Sequence, residues 1–210
     1  MPSSLDEVYL KARRHLARRD PVLKSLMARI GPCTLQPNPA GFATLVKSIV
    51  SQMISTKAAI SISARLESAL APEGFTPEAI LGAGVEKLRS AGLSGGKVAA
   101  MIDLASRVQS EALPLHLFSE MTDEEIASCL VAVRGIGPWT AQMYLMFSLG
   151  RLDVLPVDDL GLRMGVQGEY ALDALPSRAA LRELGEKWRP YRSVATWYFW
   201  RSRGGVPQSK

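Results

Sequence analysis

Cysteine is almost absent from this sequence of 210 residues, which contains only Cys33 and Cys129. Two cysteines so far apart along the chain are too few for an iron–sulfur cluster or a four-ligand zinc site. They also give no sign of a disulfide framework, so a reducing compartment, cytosolic or nuclear, is the expectation.

Long apolar runs are missing as well. Nowhere do about 18 apolar residues follow one another, and the first 20 residues lack the apolar core of a signal peptide. We therefore expect a protein that is neither secreted nor bound to a membrane. Runs that alternate apolar and polar residues are scarce, whereas helical signals recur from end to end. The sequence predicts an all-α fold of about ten helices.

Capping residues mark several of these helices. Asp20-Pro21 places an N-cap residue before a proline at the first helical position, and Thr122 to Glu125 has the spacing of a capping box. An apolar stripe predicts a further helix from about Phe42 to Met53. The proline-rich segment 31–40 is the best candidate linker, and a second boundary is predicted near residues 151–156.

The charge balance is mildly basic, with a formal net charge of +5 and a pI near 9.4. Such a balance suits a polyanionic partner without requiring one. Near the C-terminus, basic residues alternate with large aromatic ones. For Trp188, Trp197 and Tyr198 we expect core packing, because large aromatics on helices usually pack against neighbours.

The segment Val133 to Thr140 carries the first functional signal. Its two glycines permit backbone angles closed to other residues, and Pro138 is suited to open the following helix. Backbone N–H groups at such a helix start can bind a phosphate. A connection between helices that binds nothing is the alternative. The candidate phosphate donors are the backbone N–H groups of Gly135, Ile136, Gly137, Trp139 and Thr140.

An acidic pair, Asp158 and Asp159, follows about twenty residues later and opens the next helix. A carboxylate at this place either takes part in acid chemistry or only caps the helix. The pair alone leaves both interpretations open.

Taken together, these segments resemble the helix-hairpin-helix (HhH-GPD) superfamily of DNA glycosylases, and within it the 3-methyladenine DNA glycosylase II family. The resemblance covers residues from about 42 to 201. It implies a two-lobed, all-α glycosylase fold with the active-site cleft between the lobes. With the predicted linkers, we expect a central bundle at 36–151 and a second lobe from 1–35 plus 152–210. The short stretch before the core motif favours the compact form without an N-terminal β domain. The matching segments are 51–59, 93–97, the hairpin, 156–161 and 188–200.

For catalysis, the resemblance assigns the reacting carboxylate to Asp159 and leaves Asp158 as a possible auxiliary group. Bifunctional members carry a lysine nucleophile where this chain has Trp139. Without that amine no Schiff base forms, so the resemblance implies a monofunctional enzyme without AP lyase activity.

The resemblance also implies a base pocket and a wedge. Trp139, Met143 and Trp200 are the expected pocket residues, although the best-known relatives have a tyrosine at the position of Met143. Met53, with Gln52 beside it, is the expected wedge that fills the gap left by a flipped nucleotide. A core methionine on an amphipathic helix is the alternative for Met53.

The implied function is excision of alkylated purines, chiefly 3-methyladenine, from damaged double-stranded DNA. The alternatives are a glycosylase for ethenoadenine, hypoxanthine or uracil, and a hairpin module that binds DNA without catalysis. No cofactor is required, although relatives bind a Na⁺ or K⁺ ion through hairpin carbonyls, here those of Val131, Val133 and Ile136. We expect a monomer that binds no membrane, associated with the nucleoid in a bacterial cytoplasm or nuclear in a eukaryote.

Overall fold

The structure is a computed structural model that describes residues 4–206. Within this range the chain forms eleven α-helices and one short 3-10 helix, with no strand. The predicted all-α fold is therefore confirmed. The helices are α1 (Ser4–Arg19), α2 (Pro21–Ile30), α3 (Phe42–Ser51), α4 (Thr56–Ala69), α5 (Pro77–Ser90), α6 (Gly95–Gln109), α7 (Asp123–Val131), α8 (Pro138–Phe147), α9 (Leu160–Glu169), α10 (Arg178–Glu186) and α11 (Arg192–Ser202), and the 3-10 helix is Leu115–Leu117.

The chain divides into two compact units. The middle unit, Asn38–Leu149, contains α3 to α8. The terminal unit combines the described residues up to Pro37 with those from Gly150 onward, and so contains α1, α2 and α9 to α11. None of the described helices is long and apolar enough to span a lipid bilayer.

Local capping explains where several helices begin. The Asp20 side chain accepts hydrogen bonds from the N–H groups of Val22 and Leu23 at the start of α2. Thr122 and Glu125 form a reciprocal capping box at the start of α7. Both predicted caps are thus confirmed, and each satisfies backbone donors that have no partner inside the helix.

The core of the middle unit includes the apolar stripe of α3. Leu45, Val46, Ile49 and Val50 are fully buried, as the periodicity predicts. The helix ends at Ser51, two residues before the predicted end, and the chain then enters a short loop that leads to α4.

In the terminal unit, α9 and α11 pack closely because a glycine lies at their crossing. A side-chain Cβ added at Gly165 would lie 2.5 Å from the carbonyl oxygen of Phe199. The expected core aromatics, Trp188, Trp197 and Tyr198, are all buried. Their burial contributes to the stability of this unit.

Candidate active site

The helical hairpin is formed by α7, a turn at residues 132–137, and α8. Gly135 has φ +78°, a left-handed conformation that favours glycine. The Ile136 N–H donates to the Val133 carbonyl at 3.1 Å and closes the turn. The side chains of Val133 and Ile136 are buried and anchor it in the middle unit.

The hairpin presents its second helix N-terminus as a cluster of donors. Gly137 is the N-cap of α8, and Pro138 at the first helical position has no N–H. The N–H groups of Gly137, Trp139 and Thr140 therefore belong to the first turn, where no intrahelical acceptor is available. The helix dipole makes this end positive. Ile136 instead serves the turn, because its N–H is donated to Val133.

Asp103 on α6 holds the hairpin turn in place through a hydrogen bond. Its Oδ2 accepts the backbone N–H of Arg134 at 2.7 Å and the Arg107 Nε at 3.0 Å. Burial alone would raise the pKa of Asp103, but the Arg134 N–H and the Arg107 guanidinium outweigh it and lower the pKa. No sequence motif marks Asp103, because its partner Arg134 lies 31 positions away on another element.

The candidate wedge lies in the loop after α3. Met53 is 100% exposed and has φ +58°. This exposure contradicts the alternative of a core methionine. The neighbouring Gln52 is placed differently, because its Nε2 donates to the Gly135 carbonyl of the hairpin at 3.0 Å.

The predicted pocket residues of the middle unit both lie on α8. Trp139 is 41% exposed, and Met143 is half-buried. The adjacent Tyr144 is buried, its hydroxyl accepts the Gly41 N–H at 2.8 Å, and burial raises its pKa. Tyr144 therefore serves the core of this unit, so it is not the ring expected at the position of Met143.

The candidate catalytic carboxylate is held rigidly in the terminal unit. Asp159 is the N-cap of α9 and only 7% exposed. Its Oδ1 accepts the Leu162 N–H at 2.6 Å and the Trp200 Nε1–H at 2.7 Å. The structure thus brings together Asp159 and Trp200, two of the predicted site residues. Capping and a second role are compatible, because a cap fixes the orientation of the carboxylate.

The neighbouring acid is in a different environment. Asp158 is more exposed than Asp159 and forms an ion pair with Arg178 at the start of α10. Because both partners reach solvent, this pair adds little to stability. The pair gives Asp158 a partner of opposite charge. The orientation of Asp159 is instead fixed by the hydrogen bonds from Leu162 and Trp200.

The segment leading to the acidic pair is tied to the start of α11. The Ser193 hydroxyl donates to the Arg151 carbonyl at 2.7 Å and accepts the Val154 N–H at 2.9 Å. Arg192 Nε donates to Asp153 Oδ1 at 2.8 Å, and Arg189 pairs with the same carboxylate. Part of the basic cluster near the C-terminus is thus engaged within the terminal unit.

Across the residues described, no three His, Cys, Asp or Glu side chains group in a way that could hold a metal ion. The hairpin carbonyls offer a different donor set. Val131 ends α7, where carbonyls lack intrahelical partners, and the Val133 carbonyl accepts one hydrogen bond from Ile136. Each carbonyl oxygen has two lone pairs, so these groups fit a hard monovalent cation.

Comparison with known proteins bears on this geometry. A family model described as "HhH-GPD superfamily base excision DNA repair protein" matches residues 46–190, more than half of the chain. The chain belongs to the HhH-GPD superfamily. The matched residues contain the candidate wedge, the hairpin and Asp159, whereas Trp200 lies beyond them.

Individual HhH-GPD relatives align over nearly the whole chain. The Schizosaccharomyces pombe alkylbase DNA glycosidase-like protein mag2 is 32% identical over 94% of this chain and 95% of its own length. A DNA-3-methyladenine glycosidase structure from Bacillus halodurans has a TM-score of 0.84 at 35% identity, covering 90% of this chain and 87% of that one. The S. pombe Mag1 structure, in complex with abasic DNA, has a TM-score of 0.78 at 31% identity, covering 95% and 100%.

Proposed function

We propose that this HhH-GPD protein is a monofunctional DNA glycosylase that removes alkylated purines, chiefly 3-methyladenine, from damaged double-stranded DNA. The observation that carries the proposal is Asp159, a nearly buried carboxylate whose Oδ1 is fixed by Leu162 and Trp200. The relatives support the substrate class, since two of the three named above are a 3-methyladenine glycosidase and a 3-methyladenine glycosylase in complex with abasic DNA.

The reaction is hydrolysis of the bond between the base and C1′ of deoxyribose. Alkylation at a ring nitrogen makes the purine cationic, so the base leaves with the bonding electron pair as a neutral molecule. Positive charge then develops on the sugar, and the Asp159 carboxylate stabilises it. The oxygen of a water molecule bonds to C1′ and releases its proton to the solvent, which leaves an abasic site.

The absence of an amine determines how the reaction ends. Trp139 occupies the hairpin position where bifunctional members of the family carry lysine. Its indole cannot form a Schiff base with C1′, so the DNA strand stays intact. Sodium borohydride should accordingly trap no covalent adduct between the protein and DNA.

Aromatic faces suit a cationic base. A π face attracts a cation by about 0.5–2 kcal/mol. In the middle unit, Trp139 and its neighbour on α8, Met143, are the proposed base-binding residues. The ring of Trp139 is partly exposed, and we propose that it stacks on the base, whereas the buried Trp200 contributes through its hydrogen bond to Asp159. Met143 stands where the resemblance leads us to expect a tyrosine ring, so a glycosylase of another base specificity is the alternative to the proposed substrate class.

The hairpin supplies sequence-independent binding to DNA. The N–H groups of Gly137, Trp139 and Thr140, together with that of Gly135, are the proposed phosphate donors. A Na⁺ or K⁺ ion held by the Val131, Val133 and Ile136 carbonyls would add positive charge there and take no part in the chemistry. We propose that the protein acts as a monomer.

An excision panel tests the proposal. Purified protein is incubated in single turnover with duplexes that carry 3-methyladenine, 7-methylguanine, ethenoadenine, hypoxanthine or uracil, and the released base is quantified against an unmodified duplex. We expect release of 3-methyladenine fastest, since neutral bases leave less readily. Release of uracil alone would reject the alkylpurine assignment. Tight DNA binding without release of any base would favour the non-catalytic module.

A further inference from the structure

The loop between α3 and α4, residues 52–55, is held where it leaves α3 by two side-chain hydrogen bonds. The Lys97 Nζ donates to the Val50 carbonyl at 2.6 Å. The Gln52 Nε2 donates to the Gly135 carbonyl at 3.0 Å. All four residues belong to the middle unit.

Lys97 meets a specific need at the end of α3. Val50 is the penultimate residue of this helix, so its carbonyl has no intrahelical partner, and the negative end of the helix dipole lies there. No basic residue occurs in the last turn of α3 itself. The ammonium group of Lys97, carried by the first turn of α6, supplies both the hydrogen bond and the positive charge.

Gln52 connects the loop to the hairpin. Gly135 adopts its left-handed conformation in the hairpin turn, and its carbonyl accepts the Gln52 amide across 83 positions of sequence. The side chain beside the candidate wedge is therefore engaged with the phosphate-binding element in the free protein.

Met53 follows these two contacts in the chain. Its φ of +58° is unfavourable for any residue with a Cβ, and its fully exposed side chain gains nothing from packing. The conformation must therefore be maintained by its neighbours. Gln52 directly precedes Met53, and the Val50 carbonyl that Lys97 binds lies three positions before it.

We propose that Lys97 and Gln52 are positioning residues that hold Met53 outward, ready to enter DNA, and that Gln52 couples this wedge to the phosphate-binding hairpin. This inference rests on the proposed function, since it assumes that the chain binds damaged DNA. It assigns Lys97 a role and makes Gln52 a support of the wedge, acting through Met53 and not through a DNA contact of its own.

A double-mutant cycle distinguishes whether Gln52 acts through Met53 or through a DNA contact of its own. The dissociation constants for an intact duplex and for a duplex with a stable abasic-site analogue are measured for wild type, Met53→Ala, Gln52→Ala, Lys97→Met and the two double variants with Met53→Ala. The specificity ratio is the first constant divided by the second. Gln109→Ala and Lys87→Met, both at exposed positions of the same unit, are the matched controls.

Met53→Ala should remove most of the preference for the abasic analogue. Gln52→Ala and Lys97→Met should each lower the ratio about three- to tenfold, the scale of one positioning hydrogen bond. In the Met53→Ala background neither should have a further effect. Affinity for the intact duplex should stay within about twofold, which also shows that each variant is folded. Lys97→Arg keeps a cationic donor and should restore the ratio.

Three outcomes would overturn the inference. Full effects of Gln52→Ala and Lys97→Met in the Met53→Ala background would show that these residues act independently of Met53. No effect of Met53→Ala would show that there is no wedge to position. If the specificity ratio fell as much in the control variants as in the test variants, the effect would come from the change of charge or residue type and not from the positioning of Met53. Base release plays no part in these readouts, so failure of the glycosylase assignment in the excision panel is a separate result.

Discussion

The candidate functional groups of the two units differ in how they are held. In the middle unit, Met53 is fully exposed and Trp139 is 41% exposed. In the terminal unit, Asp159 and Trp200 are 7% and 2% exposed and bonded to each other. Groups that grip DNA must face solvent before DNA arrives, whereas a reacting carboxylate gains from fixed orientation and limited access of water. We therefore expect substitutions in the middle unit to change affinity, and those in the terminal unit to change rate or stability.

The largest effect on stability should come from Asp20, a fully buried carboxylate in the terminal unit. Besides capping α2, it accepts hydrogen bonds from Tyr170 and Trp188 and pairs with Lys187. Asp20→Asn would turn an amide N–H₂ toward these donors and lower the free energy of unfolding by about 3 kcal/mol, measured by urea denaturation at pH 7. The exposed Asp173→Asn is the control. If Asp20→Asn lowered the free energy of unfolding by less than Asp173→Asn does, the claim that the terminal unit is rigidly held would be wrong.

Wild type and Asp20→Asn also allow a test of how stability depends on pH. Burial opposes ionisation of Asp20, but the hydrogen bonds from Tyr170, Trp188 and Leu23 and the charge of Lys187 lower its pKa below the ordinary 3.8. A lowered pKa in the folded state means that the stabilisation is present above 3.8 and is lost as the pH falls through the folded value. The difference in free energy of unfolding between wild type and Asp20→Asn should therefore be constant above pH 3.8 and narrow only below it.

Trp200→Phe sharpens the comparison on the catalytic side. It keeps a buried ring but removes the N–H that Asp159 accepts. A hydrogen bond to a charged group is worth about 1.5–3 kcal/mol, so single-turnover excision should fall about 10- to 100-fold with unchanged affinity for DNA. Trp197→Phe, at another buried indole of α11, is the control. Equal losses in both variants would mean that packing, and not the hydrogen bond, is responsible.

Gly161→Ala should have a smaller effect on the same carboxylate. The added Cβ would lie 3.2 Å from Asp159 Oδ1 and 3.3 Å from Trp200 Cδ1, so both groups must shift by a few tenths of an ångström. Because catalysis depends on geometry, we expect excision to fall about three- to tenfold. Gly168→Ala on the same helix meets nothing within 4 Å and should leave the rate unchanged. Identical rates for the two variants would be incompatible with a rigidly held acid.

Asp103→Ala tests the middle unit, and the expected effect is the smallest. Loss of a negative charge should by itself strengthen binding to DNA. Loss of the acceptor for the Arg134 N–H should loosen the hairpin and weaken binding about two- to fivefold, with an unchanged excision rate at saturating protein. Glu86→Gln, at an exposed position of α5, controls for charge. Tighter binding in Asp103→Ala would show that the hairpin does not depend on this support.

Local patterns in the sequence predicted much of the fold. The Asp20 cap, the Thr122 capping box and the buried stripe of α3 each depend on residues within one turn or one helix, so spacing alone reveals them. Family motifs then pointed to Asp159 and Met53. Their assigned roles stay predictions until they are tested by substitution.

Contacts between distant elements could not be predicted in this way. The hydrogen bond from Trp200 to Asp159 spans 41 positions, and that from Lys97 to Val50 spans 47. Asp20 was predicted as a cap, yet its hydrogen bonds from Tyr170 and Trp188 depend on parts of the chain that lie 150 and 168 positions away. No periodicity or capping signal records such a meeting, because the partners share no local pattern.

The central claim is that Asp159, and not its neighbour, performs the chemistry. The most direct measurement is single-turnover release of 3-methyladenine by wild type, Asp159→Asn and Asp158→Asn, with affinity for an abasic-analogue duplex measured in parallel. We predict that Asp159→Asn lowers the rate by at least about 100-fold while affinity stays within about twofold, and that Asp158→Asn changes the rate by less than about fivefold. An unchanged rate in Asp159→Asn, or a large loss only in Asp158→Asn, would contradict the account.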